Sequence, residues 1–332
     1  MIPVFLILQC WLASFREPQF NHAFVIDGRA QGTTYHIKYI SADSIVLKSR
    51  IDSILRVIDH SLSLYEKNSL INQFNASKSG IIMDAHFENV VDASLKVWQA
   101  SKGVSDITVK PLVDLWGFGV KGKQPMPDSA QVQMTRKCVG ATWLVAKGKQ
   151  LTKKKACLQI DCNGIAQGYT VDVLAAYLQS QRVQNYIVEL GGEIRVKGEN
   201  EKGEAWTVGI ESPSGIDFPE PFERRIAIRS GAITSSGSYR KFYQSGNKLY
   251  SHIIDPRTGF PAQSDLVSVS LIAENATTAD AYDNVLIVLG LEQSFRFLKK
   301  RKDMEAFFIY KKSDGSIADT ATAGFYKYMK RD

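Results

Sequence analysis

The segment from Leu158 to Val173 (LQIDCNGIAQGYTVDV) constrains this chain more than any other. Its pattern predicts a strand through Leu158 and Ile160, then a turn at Asn163-Gly164. A helix follows whose apolar side includes Val171, Leu174 and Leu178. A strand that enters a helix through a glycine turn presents unpaired backbone N–H groups, and these favour anions. Yet a carboxylate, Asp161, sits in the same turn. Acid and phosphate tolerate one another there only with a cation between them. The segment therefore raises two linked questions, a metal and a phosphate.

The 332 residues suffice for one large domain or two ordinary ones, and 44% hydrophobic with 23% charged residues is enough to bury a substantial core. The net charge of +7 suits an anionic ligand, an anionic membrane surface or nucleic acid, and equally a generally basic surface. No helix-turn-helix, zinc-finger or RNP pattern occurs, so no nucleic-acid partner is expected. The four cysteines are Cys10, Cys138, Cys157 and Cys162, with no Cys-x-x-Cys pair to suggest zinc or a redox motif. Cys138 and Cys157 could be bridged, but reduced core thiols are the expectation.

Residues 1–15 (MIPVFLILQCWLASF) are almost wholly apolar, too short to span a bilayer but of the length of a signal h-region. Cys10 after Leu6-Ile7-Leu8-Gln9 is similar to the end of a bacterial lipoprotein signal. Residues 1–20 are thus expected to be a signal or anchor. The chain is expected to be exported to the periplasmic side of the inner membrane and lipid-anchored at Cys10, with residues 21–332 as the functional domain.

Within that domain, Thr33 to Ile40 alternates as a strand, and Ser44 to Ile58 and Val90 to Ala100 carry helical stripes. Ser105 to Gly119 reads as a polar-then-aromatic loop, and Gln124 to Pro127 as a linker. Val139 to Ala146 and Ala156 to Ile160 read as paired strands. Strands then dominate: Tyr186 to Leu190, Ile194 to Gly198, Trp206 to Glu211, Arg225 to Arg229, Tyr239 to Gln244, Leu266 to Ala273 and Ala306 to Tyr310. Thr277 to Leu289 is a helix.

Three acid-bearing places could carry chemistry. Asp161 with Gly164 is the first. Asp280 and Asn284 are the second: one helical turn apart, they project oxygens from one face and suit a hard cation such as Mg2+. On spacing alone, an acid placed for the helix dipole is the commoner reason for such an Asp280. His252 with Asp255 is the third, since a histidine can move a proton near neutral pH. A histidine bonded to a backbone carbonyl is the structural alternative. Ser63, Tyr65 and Trp116 lie in loops and could stack on or hydrogen-bond a planar ligand, or simply pack. The residues alone support a mixed α/β protein with a metal–phosphate site and name no substrate.

In order along the chain, Gln31-Gly32-Thr33, SLSLYEKNSLINQFN, SDITVKPLVDLWGFG, IDCNGIAQGYTVD, VELGGEIRVKG, ITSSGSYRKF, YSHIIDPRTGFP and ADAYDNVLIVLG together resemble the ApbE family, the FAD:protein FMN transferases. The resemblance covers nearly everything after residue 28. It implies an α+β fold with mixed, largely antiparallel sheets flanked by helices. It also implies Mg2+ and FAD as ligands, with attachment of FMN to a threonine hydroxyl of a target flavoprotein and release of AMP. Carried over by motif, Asp161 would contact the nucleotide, and Gly164 would offer its carbonyl to Mg2+ beside Asp280 and Asn284. Gln31, Tyr65, Asp106, Ile107, Thr108, Gln167 and Ile254 would line the FAD site, and His252 is the candidate for proton transfer. Three positions depart from the family pattern: Asn284 for the usual Thr, Gln167 for a common Lys, and Gln31 for the usual Met. Hydrolysis of FAD to FMN and AMP, or flavin binding without chemistry, are the alternative readings.

Overall fold

The computed structural model describes residues 22–210, 224–237, 242–245 and 248–330. The leader expected at residues 1–20, Cys10 included, and the first part of the strand expected at Tyr239–Gln244 lie outside the described residues. The chain opens with β1 (His22–Ala30), β2 (Thr33–Ser41), α1 (Lys48–Leu62), α2 (Leu70–Ala76), β3 (Gly80–Ile82) and α3 (Ala85–Ala100). It continues through α4 (Lys110–Leu115), α5 (Ser129–Arg136), β4 (Leu144–Lys147), β5 (Gln150–Lys153) and α6 (Asn163–Ser180). Then come β6 (Asn185–Leu190), β7 (Glu193–Lys197), β8 (Trp206–Ile210), β9 (Arg224–Ile228), β10 (Ser230–Gly237), β11 (Phe242–Ser245) and β12 (Lys248–Ser251). The described chain closes with β13 (Leu266–Ala273), α7 (Ala276–Leu298), β14 (Glu305–Lys311) and β15 (Ile317–Ala321). No helix among the described residues is long and apolar enough to cross a membrane.

Eight strands form one antiparallel sheet in the order β1-β2-β6-β7-β10-β13-β14-β15, in keeping with the expected α+β class. Away from the β1 edge both faces of this sheet are buried, and the alternation along β14 shows why. Ala306 and Phe308 enter the core shared with α3, α6 and α7, while Phe307 and Ile309 enter the core under the β8–β9 hairpin. The β1–β2 hairpin turns at Gln31-Gly32 with φ of 51° and 77°, the left-handed pair that a two-residue turn between twisted strands requires. Gln-Gly is a weak signal for such a turn, and β1 was not expected. Neither was β10, because its run of small polar residues (SGAITSSG) lacks strand-like alternation.

Three sequence expectations differ from the fold. The partner of β4 is β5, joined by the Gly148 turn, and Ala156–Ile160 is not a strand. The extended run before α6 is instead held by side chains. Asn75 accepts the Ile160 N–H at 2.7 Å and donates to its carbonyl at 2.9 Å, supplying both bonds that a neighbouring strand would give. The buried Lys153 ammonium donates to the carbonyls of Leu158 (2.8 Å) and Phe74 (3.0 Å). Cys138 and Cys157 are bridged, with Cα atoms 5.5 Å apart, rather than reduced, and Cys162 is the buried free thiol. Nothing in their sequence positions brings the two cysteines together, so the proximity was not legible. The expected loop Ser105–Gly119 also contains a 3-10 turn at Ile107–Val109 and the short helix α4.

Candidate functional site

Two long helices carry the centre of the site. α6 is not regular where it begins: Gly164 has φ −86° and ψ 21°, which kinks the first turn. The N–H of Gly168, which a regular helix would aim at the Gly164 carbonyl, donates to Oδ2 of Asp280 on α7 at 2.8 Å. That contact demands a glycine, since a Cβ at 168 would fall 2.3 Å from the Ala276 carbonyl oxygen and 2.7 Å from the Asp280 Cβ. At Gly164 an added Cβ would lie 3.4 Å from Nδ2 of Asn284. The fold therefore gathers Gly164, Asp280 and Asn284, although more than a hundred residues of chain separate the first from the others.

Strand β10 completes this wall. Thr234 donates to Oδ2 of Asp283 at 2.8 Å and Ser236 to Oδ1 of Asn284 at 3.2 Å. Asp280 is buried, and desolvation pushes its carboxyl up to about 7, aided by the nearby Asp172 charge and opposed by the Gly168 N–H. Asp161 lies across the cavity. Its N–H donates to the Ile107 carbonyl at 2.7 Å and its Oδ1 accepts from the Asn163 N–H at 2.8 Å. Burial raises its pKa as well, opposed by the Asn163 N–H.

These groups open onto one cavity of about 570 Å3. Gln31, Tyr65, Asp106, Ile107, Asp161, Gly164, Gln167, His252, Ile254, Asp280 and Asn284 all line it. Ser63 lines it too. Tyr65 is 71% exposed, and the His252 ring meets Phe118 edge-on at 6.3 Å. Gln31 reaches from the hairpin turn to donate to the Thr170 hydroxyl at 2.9 Å.

Three expected groups stand elsewhere. Thr108 is fully buried behind the wall; its hydroxyl donates to Asp106 at 2.6 Å and accepts the Gly140 N–H at 2.7 Å. Asp106 itself accepts from the N–H groups of Thr108 and Ala141, and burial raises its pKa, so its carboxylate braces the wall. Trp116 packs with Leu112, Val132 and Ile254 and donates to the Gly259 carbonyl at 2.9 Å, supporting Ile254 from behind rather than facing the cavity. The carboxylate of Asp255 is taken by Arg257, at 2.9 Å from Nε and 2.8 Å from Nη2.

Sequence reasoning missed Asp59, Glu193 and Asp283, which also line the cavity. Asp283 follows Asp280 by three residues on the same helix, and that spacing was a usable signal. Six acidic residues thus line this space: Asp59, Asp106, Asp161, Glu193, Asp280 and Asp283. No lysine or arginine among the described residues lines it. Among those residues no group of three His, Cys, Asp or Glu side chains is arranged to hold a metal. A cation here would take the Asp280 carboxylate and the Gly164 carbonyl; Asn284, whose Nδ2 faces Gly164 while its Oδ1 accepts from Ser236, would add its amide oxygen by turning the amide over, giving an all-oxygen set that fits a hard ion such as Mg2+ and leaves positions for a ligand's own oxygens.

Comparison with known proteins gives a consistent picture. The ApbE family model matches residues 31–308. An FAD:protein FMN transferase of Vibrio cholerae is 35% identical over 313 residues, covering 92% of each chain. The Escherichia coli K12 protein of the same name is 33% identical over 90% of this chain and 88% of its own. Among solved structures, the flavin transferase ApbE from Vibrio cholerae superposes with a TM-score of 0.84 at 35% identity, covering 93% of this chain and 99% of that one. The apo flavinyl transferase ApbE of Pseudomonas stutzeri gives a TM-score of 0.84 at 30% identity, with 93% and 97% covered.

Proposed function

Because the chain belongs to the ApbE family, we propose that it is an FAD:protein FMN transferase that joins FMN to a threonine hydroxyl of a target flavoprotein and releases AMP. The observation that carries this reading is the convergence of Gly164, Asp280 and Asn284 on the cavity that Asp161 faces. A pyrophosphate entering a space lined by six acidic residues and, among the described residues, by no lysine or arginine needs a counter-charge. Asp280, the Asn284 amide and the Gly164 carbonyl would hold Mg2+, which when bound supplies charge neutralisation and Lewis acidity at the pyrophosphate.

The chain's own residues do the rest. The kink at Gly164, together with the Gly168 N–H given to Asp280, makes the Gly164 carbonyl an oxygen that a ligand can claim. Asp161, fixed by the Ile107 carbonyl and the Asn163 N–H, orients the nucleotide. Ile254, supported by Trp116, forms an apolar side of the cavity, and Tyr65 offers an exposed ring beside it. In the transfer itself the acceptor threonine oxygen bonds to the FMN-side phosphorus, the P–O bond to AMP breaks, and the hydroxyl proton passes to a base. His252 is the lining residue suited to take that proton.

We place the protein outside the cytoplasm, held at the membrane by its first twenty residues. The Cys138–Cys157 bridge supports an oxidising compartment.

The test is incubation with FAD, Mg2+ and an acceptor domain, read by mass spectrometry of the acceptor and by AMP release. Wild type should add one FMN through a phosphodiester, and Asp280→Ala should add none. An Asp280→Ala variant that flavinylates at the wild-type rate overturns the assignment. AMP and free FMN formed equally fast without an acceptor would mark a hydrolase instead.

A further inference from the structure

α6 and α7 run in opposite directions through a contact that repeats every helical turn. Gly164 stands against Asn284, and Gly168 against Asp280 and Ala276. One turn further, Asp172 accepts from the N–H groups of Ala276 (3.0 Å) and Thr277 (2.8 Å) and from the Thr277 hydroxyl (2.6 Å). Arg195 completes its surroundings, with Nη1 3.4 Å from Oδ1. Positions 164, 168 and 172 on one helix thus match 284, 280 and 276 on the other. Gly164, Asn284 and Asp280 line the cavity; Gly168, Ala276 and Asp172 lie behind it.

These rungs differ in kind. Gly168 permits close approach but does not choose a register. Hydrogen bonds are directional, and a carboxylate that takes the first two N–H groups of α7 fixes where that helix starts. A slip of one residue would move Asp280 by about 1.5 Å along the axis and turn it by roughly 100°. The local cap of α7, Asn275, bonds only within its own helix, to Thr278, and cannot set that register.

We propose that Asp172 is a positioning residue that locks α7 against α6 and so holds Asp280 and Asn284 opposite Gly164. The inference rests on the reading of those three as the cation-holding set.

The test uses two variants of the full protein. Asp172→Asn keeps the shape but loses the charge and one acceptor oxygen. Asp172→Glu keeps both but is one methylene too long for the same register. The probe is Mn2+, titrated into the FAD-loaded protein and followed by electron paramagnetic resonance, with heat denaturation of the metal-free protein alongside. Both variants should bind Mn2+ about 10- to 100-fold more weakly. Their transfer activity should recover as Mg2+ is raised, with kcat returning towards wild type. Mn2+ affinity within twofold of wild type in either variant, even with a lower melting temperature, overturns the proposal, because a mere helix cap would act that way. Asp280→Ala is run in parallel; if it binds Mn2+ as wild type does, the underlying site reading is what fails. Should neither Asp172 variant fold, Thr277→Val removes one donor and leaves the charge. It should weaken Mn2+ binding about fivefold, and an unchanged affinity there also overturns the proposal.

Discussion

The backbone N–H of Gly168 donates to the carboxylate of Asp280 at 2.8 Å across 112 residues of chain. It forms just after the kink at Gly164, and its acceptor is a buried acid. This bond joins the mid-chain turn to the late helix.

Gly168→Ala should break that junction. The new Cβ would sit 2.3 Å from the Ala276 carbonyl oxygen, and backbone cannot swing aside as a side-chain tip can. The helices must separate at a cost of about 3 kcal/mol, and denaturant titration should show that loss together with loss of flavin transfer. Stability and activity at wild-type levels would mean that α6 and α7 are not packed as described.

The metal-free protein should lose stability as pH rises from about 4 to 7. Asp280 has its folded pKa raised to about 7 from an ordinary carboxylate value, so between those limits the native state binds the extra proton. That contribution is fully present below the unfolded pKa and is gone above the folded one. Asp280→Asn keeps an oxygen for the Gly168 N–H and removes the titration. Its melting temperature relative to wild type, in chelator, should rise across this window. A difference flat in pH would argue against a buried, uncompensated Asp280.

Removing the Cys138–Cys157 bridge should act on the cavity as well as on stability. A crosslink spanning 19 residues is worth roughly 3 kcal/mol by chain entropy. The bridged segment also carries Gly140 and Ala141, whose N–H groups hold Thr108 and Asp106. A Cys138→Ala, Cys157→Ala double variant is expected to melt earlier and to bind FAD more weakly, as calorimetry can measure. Unchanged FAD affinity would confine the bridge to a purely stabilising role.

Asn75→Ala leaves the buried N–H and carbonyl of Ile160 without their partner, at a cost of about 3 kcal/mol. Asp161 is the next residue, so flavin affinity should fall too. Asn75→Asp, which can accept but not donate, should lose more than half of that stability. Urea unfolding of the two variants, compared side by side, checks the order.

Local pattern alone determined a good deal of this protein. Leu266–Ala273 is a strand to the residue because its apolar groups serve two cores, and the helices bearing Val171 and Asp280 were legible as helices, although α7 runs on to Leu298, past the expected end at Leu289. The spacing of Asp280 and Asn284 placed both on one face of α7 before any partner was known. Tertiary structure decided what those groups meet. Only the packed helices show that Asp280 receives the Gly168 N–H, that Thr108 turns into the wall, and that Ile160 is held by Asn75 instead of by a strand. It also decided that Cys138 lies beside Cys157 and that the small-residue run Ser230–Gly237 is an interior strand. The reason is physical: periodicity reports which face of an element avoids water, whereas the partner of a buried polar group is chosen by where distant segments stop when the cores close.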